Sequence, residues 1–102
     1  MSDTVFEKQG KILSVRPKGR LDTVSSPVLD KELQEYAEDV QEMVFDFTDV
    51  EYISSGGLRV LLGWEQKLEE HGGEIRVMHA SSAVLKIFDL VGFSEVVNVV
   101  PD

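Results

Sequence analysis

Two adjacent serines, Ser54 and Ser55, stand before two adjacent glycines and an apolar run in YISSGGLRVLL, residues 52 to 62. A serine on a strand-to-helix turn is where a hydrolase carries its nucleophile, but the G-x-S-x-G spacing of such a turn is missing, because Tyr52 and Ile53 precede the pair. A triad would also need Asp22 and one of His71 or His79 to converge on the serine, and the spacing gives no sign of it. Both histidines read as surface residues. Neither G-x-x-x-x-G-K-[ST] nor G-x-G-x-x-G occurs, and Gly56-Gly57 runs on into Leu-Arg, so the loop is no nucleotide cradle. Asp46, Asp49 and Glu51 are close together but straddle a strand end without the D-x-D-x-D-G pattern of a calcium loop, and read as solvent-facing or turn-capping groups. With no cysteine, the chain has no disulfide, thiolate metal site or cysteine nucleophile. The expectation is a protein with no catalytic residue, no metal and no cofactor.

The hydroxyls themselves remain. Ser54 or Ser55 can N-cap the helix that follows, a contribution of about 1 kcal/mol, with Gly56 and Gly57 easing a tight turn. An exposed serine at a helix start can also be phosphorylated, gaining roughly 1.5 to 2 negative charges that the helix dipole tolerates and a docked partner does not. The two readings are compatible.

The elements that hold this stretch follow from periodicity. Residues 4–9 and 11–16 read as short strands joined across Gly10, an antiparallel hairpin stopped by Pro17. KGRLDTVSSP, residues 18–27, is rich in turn formers, and Ser26-Pro27 offers an N-cap and first-turn proline. A helix is expected beyond it, with Leu29, Leu33, Tyr36, Ala37 and Val40 on its apolar face. MVFDFTDV, residues 43–50, reads as the central strand. A second helix runs from Gly57 to the stop at His71-Gly72-Gly73, with Leu58, Leu61, Leu62, Trp64 and Leu68 inward. Residues 74–80 alternate as a strand with Ile75, Val77 and His79 on one side. A third helix from Ser81-Ser82 carries Val84, Ile87, Phe88 and Val91 up to Gly92, and EVVNVV ends the chain as a short strand. The order β-β-α-β-α-β-α-β implies right-handed crossovers and a mostly parallel sheet. In such sheets ligands and partners meet the loops at strand carboxyl ends, and the serine loop is one of these.

The whole chain sets bounds on partners. Its 102 residues, 42% hydrophobic and 28% charged, fit one small globular domain spanning residues 1–102. A net charge of −9 with scattered Lys and Arg argues against nucleic acid and leaves protein partners open, a basic docking surface among them. The start MSDTVFEKQGK lacks the pattern of a signal peptide and no apolar run approaches a membrane span, so a cytoplasmic protein without a membrane partner is expected.

GRLD at 19–22, VFDFTDVEYISSGGLRVLL at 44–62 and LKIFDLVGF at 85–93 together resemble a STAS domain of the stand-alone anti-sigma-factor antagonists, in order and over essentially the whole chain. The resemblance implies the STAS fold, an α/β domain whose mixed, mostly parallel sheet carries an N-terminal antiparallel edge hairpin and helices mainly on one face. It also implies partner switching. The unphosphorylated protein binds an anti-sigma factor that is also a serine kinase, releasing a sigma factor. The kinase phosphorylates one serine and lets go, and a serine phosphatase resets the switch. Anchored on Gly57-Leu58, the family motif puts the phosphoacceptor on Ser55, with Ser54 as second choice, and Asp22 and Thr23 beside it. The implied partner surface is Asp22, Thr23, Ser54, Ser55, Gly56, Gly57 and Arg59, on a protein that is monomeric when free. Other readings are a STAS scaffold or small-ligand-binding protein, and a partner switch with an output other than a sigma factor.

Overall fold

The computed structural model describes residues 3–101; the extreme ends of the expected domain and of the N-terminal stretch, residues 1, 2 and 102, lie outside them. Seven strands and three helices follow in the order β1 (Val5–Gln9), β2 (Ile12–Arg16), β3 (Lys18–Leu21), α1 (Ser25–Tyr36), β4 (Glu42–Asp46), β5 (Asp49–Ile53), α2 (Ser55–Glu69), β6 (Glu74–Met78), α3 (Ser82–Val91), and, after a 3-10 turn at Phe93–Glu95, β7 (Asn98–Val99). The main sheet has the order β1-β2-β4-β6-β7, antiparallel only at the opening hairpin. This is the expected mixed sheet with its edge hairpin.

Alternation decides which face is covered. Leu13 and Val15 in β2, Met43 and Phe45 in β4, and Ile75 and Val77 in β6 are buried, while Ser14 and Arg76 in the same strands are exposed. All three helices lie over the buried side, with Leu29 and Leu33 of α1, Leu58, Leu61 and Trp64 of α2, and Val84 and Phe88 of α3 turned down onto it. Phe47, Phe88 and Phe93 extend the core through ring contacts at 6.2 and 4.3 Å between centroids.

Several expectations change. The stretch expected as one central strand is two: β4 ends at Asp46, whose carboxylate takes the Thr48 amide and hydroxyl, and the chain bends before β5 begins at Asp49. KGRL, expected as turn, is strand β3, which pairs parallel with β5 in a separate two-stranded sheet. Its short length and central Gly19 hide it from propensity, and only the β5 partner makes it a strand. Helix α1 begins at Ser25 and ends at Tyr36; Asp39, with φ of 63°, breaks the line, and Val40 enters the core from a loop instead of a helix face. Val91 and His79 are exposed, since α3 stops at Val91 and His79 turns out of β6 with φ of 61°.

Candidate functional site

Strands β3 and β5 run side by side and end level, Leu21 opposite Ile53. The two chain exits therefore lie together, and the Ser54 amide donates to the Leu21 carbonyl at 2.8 Å. The serine loop thus leaves β5, a strand outside the main sheet, rather than the central strand.

Ser54 is fully engaged as the N-cap of α2. Its backbone is extended (φ −93°, ψ 175°), its hydroxyl oxygen accepts the Gly57 amide at 3.4 Å, and its carbonyl accepts the Leu58 amide at 3.0 Å. Ser55, the first helical residue, is exposed, and its hydroxyl has no protein partner among the described residues. Gly57 is fixed by contact: a methyl group there would lie 2.7 Å from Ile53 Cγ1 and 2.9 Å from the Leu21 carbonyl oxygen. Only a glycine lets α2 start this close to both strand ends.

On the other exit, one carboxylate oxygen of Asp22 accepts the amides of Val24 and Ser25, each at 3.0 Å, and the Ser25 hydroxyl at 3.2 Å. The Ser25 amide, and then the Val24 amide, hold the Asp22 carboxyl below its ordinary range. The single Ser25 hydroxyl proton is shared between that carboxylate and the Arg20 carbonyl, which at 2.6 Å is the nearer acceptor. The start of α1 is thus organised by Asp22 and Ser25, and Ser26, expected as the cap, is buried instead, its oxygen 3.8 Å from the place a methyl on Gly56 would take.

Of the residues expected at the site, Thr23, Gly56 and Arg59 line one cavity between the starts of α1 and α2, while Ser55 and Arg59 border an apolar cleft against Val91, Phe93 and Val96. Asp22 and Ser54 stand behind them as caps. Sequence reasoning took Ser26 for a cap and passed over Gly63 and Lys67, all three of which also line the first cavity; a glycine inside a helix was the available signal. Among the described residues no cluster of metal-ligating side chains occurs, and no helix is long and apolar enough to cross a membrane.

Comparison with known proteins agrees with this architecture. The anti-sigma-B factor antagonist of Bacillus subtilis is 28% identical over 87 residues, which cover 85% of this chain and 80% of that protein. The anti-sigma-B factor antagonist of Listeria monocytogenes is 24% identical over 102 residues, 97% of this chain and 88% of that one. Among solved structures, an anti-sigma factor antagonist from Mycobacterium paratuberculosis superposes with a TM-score of 0.86 at 24% identity, covering 100% of this chain and 87% of the other. The anti-sigma factor antagonist SpoIIAA in its unphosphorylated form gives 0.83 at 19% identity over 97% and 89%. The sequence pattern of the STAS domain matches residues 3–102, and the chain belongs to the STAS domain family.

Proposed function

We infer that this protein is an anti-sigma-factor antagonist worked by phosphorylation of Ser55. Unphosphorylated, it binds a cognate anti-sigma factor that is also a serine kinase and releases the sigma factor held there; a serine phosphatase later restores the free form. It acts as ligand and substrate, not as a catalyst, monomeric when free, in the cytoplasm, with residues 1–102 as a single domain. Thr23, Gly56 and Arg59 form the docking surface around Ser55, and Asp22, Ser54 and the buried Gly57 hold it in place from behind.

The observation that carries this reading is the division of labour between the serines. Ser54 holds the helix start, and Ser55 presents an unengaged hydroxyl on a rigid base. A protein kinase needs such a hydroxyl held steady within reach of its own phosphate donor. Phosphate on Ser55 adds roughly 1.5 to 2 negative charges. The amide groups at the start of α2 and Arg59, one turn along, accommodate them within the protein. A partner's acidic catalytic base, brought to the same place, is repelled, and each 1.4 kcal/mol of repulsion weakens binding about tenfold.

The test uses the Ser55→Ala and Ser55→Asp variants with a co-expressed kinase. Ser55→Ala is expected to bind and resist phosphorylation. Ser55→Asp is expected to lose the partner by at least about tenfold while its Tm stays level or rises, because an acidic residue in the first turn favours the helix. Phosphate mapped anywhere but Ser55, or undiminished binding by Ser55→Asp, sinks the assignment.

A further inference from the structure

Helix α2 turns Gly56, Val60, Gly63 and Lys67, spaced three and four residues apart, towards the start of α1. Between them lies a cavity of about 500 Å3, within the range of small-molecule sites. Three independent features say what it is shaped for.

The first is Gly63. It lies inside a helix of 15 residues, its φ is not positive, and a methyl group there would meet nothing within 4 Å. Neither conformation nor packing calls for glycine, and alanine would make a stronger helix. What glycine does here is keep one wall of the cavity low. The second is Ser26, 2% exposed, a residue of the cavity lining whose buried hydroxyl has no hydrogen-bond partner among the described residues. A buried hydroxyl left this way is costly unless something in the cavity meets it.

The third is charge. In a chain of net charge −9, the cavity is flanked by Arg59 and Lys67, neither of which forms an ion pair with a carboxylate among the described residues. Lys67 Nζ rests 4.2 Å from the centre of the Trp64 ring. The acid on the lining, Asp30, is held through one oxygen by Trp64 Nε1 at 2.7 Å and through the other by Gln34 Nε2 at 3.3 Å. Among the described residues neither cation is neutralised by a carboxylate, and the buried indole under Lys67 fixes where its ammonium sits.

We propose that this cavity binds a small organic anion, its apolar body against Val60 and the low wall at Gly63, its carboxylate or phosphate drawn to the cations Arg59 and Lys67, and a polar atom directed at the Ser26 hydroxyl. The site shares Arg59 with the docking surface described above but stands on its own observations, and its test needs no kinase. Isotope-labelled protein is titrated with benzoate and phenyl phosphate, and in parallel with benzyl alcohol and inorganic phosphate. The readouts are the Trp64 indole N–H and the Gly56 and Gly63 amides.

Benzoate or phenyl phosphate is expected to give saturable shifts at these groups, and whichever saturates first identifies the head group. Benzyl alcohol and inorganic phosphate are each expected to bind at least about tenfold more weakly, lacking the charge or the body. Gly63→Leu, whose side chain grows into open space, is expected to abolish saturation while keeping a native spectrum; Lys67→Ala is expected to weaken binding about tenfold. Should Gly63→Leu disturb the spectrum, Gly63→Ala serves, with a smaller loss expected. Absence of saturable shifts with both aromatic anions overturns the site. So does equal binding by benzyl alcohol, by inorganic phosphate or by the filled variant.

Discussion

The Ser54 hydroxyl accepts the Gly57 amide, whereas the Ser55 hydroxyl meets no protein group among the described residues, so truncating the two has different consequences. Ser54→Ala removes an N-cap and is expected to lower the unfolding free energy by about 1 kcal/mol in urea titration. Ser55→Ala removes an exposed hydroxyl and is expected to stay within about 0.5 kcal/mol of the parent. Equal losses in the two variants would contradict the division of labour. Asp22 belongs with Ser54: sequence resemblance marks it as a neighbour of the proposed phosphoacceptor, and the structure shows what it does locally, which is to hold the Val24 and Ser25 amides. Its carboxyl, kept low by those amides, remains ionised where an ordinary carboxyl begins to protonate.

Among the elements, the parallel β3–β5 pair decides where the serines are. Because Leu21 and Ile53 end level, α1 and α2 start side by side, and α2 starts close enough to touch both strands. Gly57→Ala is therefore expected to cost about 1 to 3 kcal/mol through overpacking against Ile53 and the Leu21 carbonyl. The same change at Gly56 meets atoms only at 3.5 Å and beyond, an ordinary contact, and is expected to be tolerated. Thermal or urea unfolding of both variants decides it, and a Gly56→Ala loss as large as that of Gly57→Ala would show that the close approach is not the controlling contact.

On the scale of the molecule, α2 is tied to the main sheet through a buried polar contact, Glu65 Oε1 accepting the Ile75 amide at 2.7 Å. Glu65 is 3% exposed, and burial raises its carboxyl above the ordinary value near 4.5, with Glu69 and Glu74 adding to the rise. The folded protein therefore holds this proton more tightly than the unfolded chain. The contribution of Glu65 to stability is greatest below pH 4.5 and falls as pH rises through the folded value. Glu65→Gln keeps an acceptor for Ile75 and has nothing to ionise. Relative to the parent, its stability is expected to improve as pH rises from 4.5 and to level off above the folded value of Glu65, read from urea midpoints across pH. A relative stability that falls with pH would show that the charged form is the favoured one.

The sequence by itself determined the opening hairpin, the apolar faces of the three helices and the serine loop as the place of interest. Each of these rests on local periodicity or on residues adjacent in the chain: Leu29 and Leu33 share a helix face, and Ser54 to Gly57 are neighbours whatever the fold. Tertiary structure alone decided that KGRL is a strand, that the long apolar stretch breaks after Asp46, and that Val40 is reached from a loop. Those outcomes depend on partners distant in the chain, β5 for β3 and the sheet for Val40, and no local pattern carries that information. Local capping chemistry admitted either serine. The level ends of β3 and β5 separated them, because the Leu21 carbonyl fixes the Ser54 backbone and leaves Ser55 outside.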